Sequence, residues 1–325
     1  MGALQFDLPL NTTGLRSSIY DSLPDYVFNE CATAYLNKFL ETYRNRKRST
    51  RVTIDLTIRH FVGFQKWIGE TFMTSQIDKE VLDQYVQYLV YEKDLKANTV
   101  QNFLGTIKRI LTRIQQSYIK VDISFKESKV KLIHPYKVAL TEQELAAIFC
   151  FEDLTVPLQE VRDLFILSCF TGLRYSDASR LSAHNIKDNL ISIMTKKTKA
   201  SVLIPIFTYT RLILEKYNYN LPHARCIQYF NKALKVVCKK VGLTRKIEYE
   251  EVKGDDIRVV SRPLYQEISS HTARRTFITT MLRNNVDALV IREITGHKSL
   301  ASFALYDKTT QKEKIAKVPM RGLYS

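Results

Sequence analysis

Apolar residues recur at helical spacing through the first third of the chain, and that period limits the fold more than any other feature. Val100, Leu104, Ile107, Leu111 and Ile114 fall on one side of a helix that would begin at Asn98, a residue able to cap it. A helix from about Tyr26 to Tyr43 ends in the basic run Arg44-Asn45-Arg46-Lys47-Arg48. The next starts near Ser49-Thr50, with Ile54, Ile58, Phe61 and Ile68 on its apolar face and Trp67 alongside. A third spans about Asp78 to Glu92, with Val81, Tyr85, Tyr88 and Leu89 together. Amphipathic helices with short joins predict a small bundle over 25–118, preceded by an extension of weak period over 1–24. Gly and Pro number only 10 and 8 in 325 residues, which argues against a sandwich rich in tight turns.

The period breaks over 119–139, where Lys120, Lys126, Lys129, Lys131 and Lys137 are scattered and His134-Pro135 disfavours helix. This stretch reads as a linker. The second part, 140–325, opens with Thr141-Glu-Gln-Glu144, a capping-box pattern. A buried helix follows over about Leu158 to Phe170, then a short helix after Arg174 to about Leu181. Leu190–Met194 and Val202–Ile206 read as strands around the polar turn Lys196–Ser201. Helices are predicted near 208–217 and 225–240, an additional hairpin within 245–268, and helices over 270–284, 287–295 and 307–318. The fold class is mainly α with a small antiparallel β-sheet (α+β).

Charge narrows the partner. Lys and Arg total 49 against 33 Asp and Glu, a formal net charge of +16. Such an excess suits a polyanion, and the phosphate backbone of double-stranded DNA is the obvious one, because each neutralised phosphate releases counterions. Arg44, Arg46, Lys47 and Arg48, with Lys108, Arg109 and Arg113 on the fourth helix, are the candidate DNA-facing residues of the bundle. A solvated helix face accounts equally well for any one of them. Cys31, Cys150, Cys169, Cys226 and Cys238 include no C-x-x-C pair and no zinc-finger spacing, and Cys169 lies in an apolar run that reads as core. No apolar run is long enough to span a bilayer, and no signal segment opens the chain, so the expected compartment is the cytoplasm, with no membrane partner.

Three motifs stand in order in the second part. In Thr171-Gly172-Leu173-Arg174-Tyr175-Ser176-Asp177, Gly172 is suited to end the buried helix and deliver Arg174 into a cleft, with Asp177 placed to hold an Arg or His. In His271-Thr272-Ala273-Arg274, an imidazole and a guanidinium share a helix face, and the guanidinium fork matches two phosphate oxygens. Thr295-Gly296-His297 is followed nine residues later by Tyr306. Each motif alone has an ordinary structural explanation: an Arg174–Asp177 pair, an exposed basic helix face, a capping His. There is no G-x-x-x-x-G-K-[ST] loop and no acidic cluster of the two-metal kind.

Taken together, TGLR, H-x-x-R and GH followed by Tyr make the second part resemble the catalytic domain of the tyrosine recombinases, or phage-type integrases, over about 138–318. The preceding bundle resembles that family's SAM-like core-binding domain. TGLRYSD, the KT turn and SSHTARRTF look most like recombinases of Bacteroidetes mobile elements. The resemblance implies that Tyr306 is the nucleophile, that Arg174 and Arg274 hold the nonbridging oxygens of the scissile phosphate, and that His271 and His297 complete the pocket. It implies a turn lysine as general acid, at Lys197 by counting back from Val202-Leu-Ile-Pro205, with Lys196 and Lys199 within a register error. Asp177 matches a supporting acidic residue, while Lys199 and Arg275 join the candidate DNA contacts. No metal and no cofactor are implied. The expected partners are DNA, further copies of the chain in a tetrameric synapse with the C-terminal tail exchanged between subunits, and accessory DNA-bending proteins. Type IB topoisomerases use the same residues to relax DNA, and a DNA-binding regulator with a dead site is the other alternative. About 25 residues precede the bundle, which points to a simple recombinase, such as an invertase or an excision enzyme, rather than one with an arm-binding domain.

Overall fold

A computed structural model describes residues 31–45, 48–116, 121–131, 137–223, 225–253 and 256–297, together with 299, 303, 304 and 306. The extension 1–24, the start of the first predicted helix, Arg46, Lys47, His134-Pro135 and the tail helix at 307–318 lie outside them. The chain divides into two units, one of Met1–His134 with Glu250–Arg258 and one of Pro135–Tyr249 with Val259–Ser325.

The first unit is built on α1 (Ala32–Glu41), α2 (Arg48–Ile68), α3 (Lys79–Gln87) and α4 (Ala97–Gln115). Their apolar stripes close one core around Phe61, Phe64, Leu82, Tyr85, Leu104 and Ile107. Asp78 caps α3 by accepting from the Val81 amide at 2.9 Å. The helix then widens into a π turn over Tyr88–Glu92, where Tyr88, Leu89 and Val90 are all buried. Two expectations are corrected. Lys96, not Asn98, is the N-cap of α4, and it gives no side-chain cap; Asn98 lies inside the first turn. Trp67 is 54% exposed rather than part of the core face, which uses Phe64 and Gln65 instead.

The stretch expected to be a linker is partly structured. Ile123–Glu127 forms a 3-10 turn capped by Asp122, and Phe125, at 0% exposure, belongs to the bundle core. Lys108 fastens it: its Nζ donates to the carbonyl of Lys126 at 2.9 Å and to that of Ser128.

The second unit is organised around α6 (Val156–Thr171), which follows α5 (Glu142–Cys150). The capping box expected at Thr141 and Glu144 is present. Helix α6 is buried on nearly every side, including Asp163, whose carboxylate accepts from Arg162 Nε at 2.8 Å, Lys216 Nζ at 2.7 Å and Tyr217 Oη at 2.8 Å. A buried carboxylate is tolerable there because its lone pairs are filled. After the short helix α7 (Tyr175–Ala178) come β1 (Ile186–Lys187), β2 (Leu190–Met194) and β3 (Ser201–Pro205), an antiparallel sheet in that order. Ile191 faces Ile204 and Ile193 faces Val202 on the buried side. Helices α8 (Thr208–Lys216) and α9 (Ile227–Lys240), the β4–β5 hairpin (Lys246–Lys253 and Asp256–Pro263), α10 (Leu264–Glu267), α11 (Ser270–Arg283) and α12 (Ala288–Thr295) follow. None of the helices among the described residues is long and apolar enough to cross a membrane.

Candidate active site

Two left-handed glycines shape the site. Gly172, at φ 66°, ends α6, and Gly296, at φ 65°, ends α12. Both conformations favour glycine, and at Gly172 space does as well, since a Cβ there would lie 2.5 Å from Phe277 Cδ1; at Gly296 it would lie 3.1 Å from Val202 Cγ1, tight but not prohibitive. Each turn presents a main-chain carbonyl inward, and Arg274 on α11 takes both. Its Nη1 donates to Gly172 O at 2.8 Å and its Nη2 to Thr295 O.

Arg274 is 1% exposed. Burial first, and then the charge of Arg174, lower its pKa to about 9, while Tyr306 and Asp177 act in the opposite direction. It therefore stays protonated at neutral pH. The sequence reading gave its whole fork to phosphate; the structure uses both Nη groups to tie the two glycine turns together and leaves Nε as a buried donor unpartnered among the described residues. Arg174 contributes a second buried, unpartnered donor, Nη1, from the N-cap position of α7. Anion-seeking donors held out of water are a strong electrostatic resource.

His297 follows Gly296 and is 8% exposed. The hydroxyl of Thr295 donates to Ile291 O at 2.6 Å and lies 2.8 Å from His297 Nδ1. Arg274 Nη2, which can only donate, lies 3.2 Å from Nδ1 and 3.3 Å from Nε2 of the same ring. Burial, then Arg274, Arg174 and Arg292, push the imidazole pKa down to about 3. The Tyr306 ring lies 5.0 Å from the His297 ring, and Arg274 Cζ lies 5.8 Å from the Tyr306 ring centre. Tyr306 is half-buried, packed beside the small cluster of Phe277, Ile278, Ile291 and Phe303 rather than sealed within it.

His271, in the first turn of α11, is exposed, while Arg274, three residues on, is buried. Its pKa is nonetheless lowered, first because surrounding protein strips part of its hydration, then by Arg275, Arg174, Arg274 and Lys197. Of the turn lysines, Lys197 is the one whose charge reaches this ring. Asp177 is fully buried, and the arginine it holds is Arg180: its Oδ1 accepts from Arg180 Nη2 at 3.2 Å and from the Lys196 amide at 2.8 Å.

The expected DNA contacts separate into groups. Arg48 and Arg113 are exposed on α2 and α4, and Arg109, also exposed, returns to Gly105 O and Thr106 Oγ1 on its own helix. Arg44 pairs with Glu41. Lys108 is a correction, since its ammonium is taken by two main-chain carbonyls and burial lowers its pKa. Lys199 is exposed with φ 55°. Arg275 is half-buried, donates to Val138 O at 3.5 Å and is raised in pKa by Tyr306 against a larger lowering by burial, so it belongs to the surroundings of the pocket. Sequence reasoning missed Thr295, although it stands within a quoted motif, and Arg180, which no motif marked.

The phage integrase family model matches residues 139–313, and a phage integrase SAM-like domain matches residues 32–132. Tyrosine recombinase XerD of Lacticaseibacillus casei is 25% identical over 284 residues, covering 86% of this chain and 94% of that protein. Tyrosine recombinase XerC of Oceanobacillus iheyensis is 24% identical over 298 residues, covering 85% and 92%. Among solved structures, a Tn1549 transposon integrase in complex with a circular intermediate DNA superposes with a TM-score of 0.68 at 15% identity, over 87% of this chain and 97% of that one. A lambda integrase dimer bound to a core site gives 0.65 at 14%, over 85% and 95%. The chain belongs to the phage integrase family, whose members are the tyrosine recombinases. It is accordingly an enzyme, a tyrosine-type site-specific DNA recombinase.

Proposed function

We propose that Tyr306 attacks a scissile phosphate in double-stranded DNA and that the strand is held as a 3′-phosphotyrosine until a 5′ hydroxyl reseals it. The observation supporting this most is Arg274, whose buried Nε has no partner among the described residues and whose guanidinium carbon lies 5.8 Å from the Tyr306 ring centre, with a second such donor at Arg174 Nη1. A phosphodiester repels a nucleophile and gathers more charge on its oxygens in the transition state, so fixed cationic donors act where charge develops. His271 assists proton removal from the phenol. Its lowered pKa keeps it neutral and able to accept a proton at neutral pH. His297, neutral as well, steadies Arg274 and the Gly296 turn. Lys197 protonates the leaving 5′ oxygen. Because the phosphotyrosine conserves the bond energy, no nucleotide hydrolysis is needed.

Arg44, Arg46, Lys47, Arg48, Arg109, Arg113 and Lys199 supply phosphate contacts that position the duplex. The active assembly is a tetramer on two sites, with the tail beyond Tyr306 exchanged between subunits, in the cytoplasm at the nucleoid and with DNA-bending proteins as accessories. The test is to sequence the DNA covalently joined to the protein in its native host. One core sequence recovered with the wild type, and none with Tyr306→Phe, is expected. Adducts scattered without sequence preference would overturn the site-specific reading in favour of DNA relaxation.

A further inference from the structure

The lysine turn between β2 and β3 is held to the catalytic core by a latch that no motif announces. Within the turn the bonds are local: Thr195 N donates to Ala200 O at 2.8 Å, Lys199 N to Thr195 O at 3.0 Å, and the hydroxyls of Thr195 and Thr198 meet at 2.7 Å. These shape the turn but do not place it. Placement comes from two other bonds. Asp177 Oδ1 accepts from the Lys196 amide at 2.8 Å, and Arg180 Nη2 donates to the carbonyl of Met194, the last residue of β2. The two anchors are themselves joined, because Arg180 Nη2 also donates to Asp177 Oδ1 at 3.2 Å.

We propose that Arg180 is a positioning residue for Lys197: together with Asp177 it clamps the main chain on the N-terminal side of the turn, at Met194 and Lys196, and so fixes where the lysine ammonium stands. The inference rests on the reading of Lys197 as the proton donor to the leaving oxygen. Its physical basis is burial and reach. Asp177 is fully buried and stands three residues after Arg174 in the short helix that Arg174 opens, so the turn is referenced to the same piece of backbone as the phosphate-binding arginine. Arg180 is 44% exposed in its side chain, yet its guanidinium closes the gap between that carboxylate and the strand end. Lys197 itself is exposed, and among the described residues no hydrogen bond or ion pair holds its ammonium, so its position is inherited from the main chain on which it stands. Proton transfer to a leaving group is sensitive to such placement, and a misplacement of about 1 Å costs on the order of 100-fold in rate.

Two measurements test it. In the free protein, Arg180→Met should speed hydrogen exchange of the Lys196 amide at least tenfold while amides in α6 and α11 keep their protection; unchanged exchange at Lys196 overturns the latch. On DNA, duplexes carrying the mapped core sequence are made with either an ordinary 5′ oxygen or a 5′ sulfur at the scissile position. Sulfur leaves as a thiolate without a proton, so a defect confined to the acid disappears with it. Arg180→Met should cleave the oxygen substrate at least tenfold slower than wild type and the sulfur substrate within about twofold of wild type, as should Lys197→Ala. If Lys197→Ala is rescued by sulfur and Arg180→Met is slow on both, Arg180 has only a structural role and the inference fails. If Lys197→Ala is not rescued, the underlying assignment of the acid fails and the inference goes with it.

Discussion

His297 gives the site a measurable electrostatic signature. Its ring is buried against two guanidiniums and has a pKa of about 3, whereas in the unfolded chain a histidine titrates near 6.5. Between those values the unfolded chain binds the extra proton, so stability is fully present above the unfolded value and is lost as pH falls through the window. At pH 4.5, about two units below the unfolded value, the loss is about 3 kcal/mol, at 1.36 kcal/mol per unit. That pH lies well above the folded pKa, so the magnitude is set by the unfolded ring. The control is His297→Asn, whose amide keeps a donor and an acceptor at the ring's place but has no proton to gain. Urea unfolding followed by circular dichroism, at pH 7.5 and at pH 4.5, gives the difference. Wild type should lose about 3 kcal/mol more than the variant on acidification, and His271, lowered in the same direction, cancels between the two proteins. The single tryptophan, Trp67, lies in the bundle and serves as an internal control that should not distinguish the two. Equal acid sensitivity in wild type and His297→Asn would refute the buried, neutral imidazole.

Two further substitutions address the framework. Gly172→Ala places a Cβ 2.5 Å from Phe277 at φ 66°; the left-handed conformation costs about 1–2 kcal/mol and the overpacking about 1–3 kcal/mol. The second unit should therefore lose about 2–5 kcal/mol in urea unfolding, and a loss under about 1 kcal/mol would contradict the tight turn. Lys108→Met removes a donor from the carbonyls of Lys126 and Ser128 and should destabilise the bundle by about 1–3 kcal/mol, read from Trp67 fluorescence. The salt dependence of DNA binding should stay unchanged, whereas a slope reduced by about 0.9 would make Lys108 a phosphate contact after all.

The parts of this fold legible in the sequence are those set by period and by local chemistry. The stripe from Val100 to Ile114 fixes α4, Thr141 and Glu144 fix the start of α5, and alternation about Ile191 and Ile193 fixes β2. Gly172 is readable as a helix end because a left-handed residue favours glycine. What escaped depends on distance along the chain. Phe125 sits in a single 3-10 turn, too short to show a period, and only its burial in the bundle reveals it as core. Asp177 looks poised for its near neighbours and does hold Arg180, yet it also takes an amide 19 residues away, brought back by the sheet. Lys108 has the composition of a DNA contact and the geometry of a strut, because the carbonyls it serves belong to the turn that follows the helix. The motifs located the reacting groups, but not that Arg274 spends both Nη groups on main-chain carbonyls, since those carbonyls become neighbours only in the folded chain.

The central claim is that Tyr306, beside Arg274 and His297, becomes covalently bonded to DNA. Mass spectrometry tests it most directly: the protein is incubated with DNA bearing the core sequence, denatured, digested with nuclease and protease, and searched for the peptide that has gained a nucleotide. A 3′-linked nucleotide on the phenolic oxygen of Tyr306, absent in Tyr306→Phe and in Arg174→Ala, is the expected result. A nucleotide on any other residue, or strand cleavage that persists in Tyr306→Phe, would contradict it.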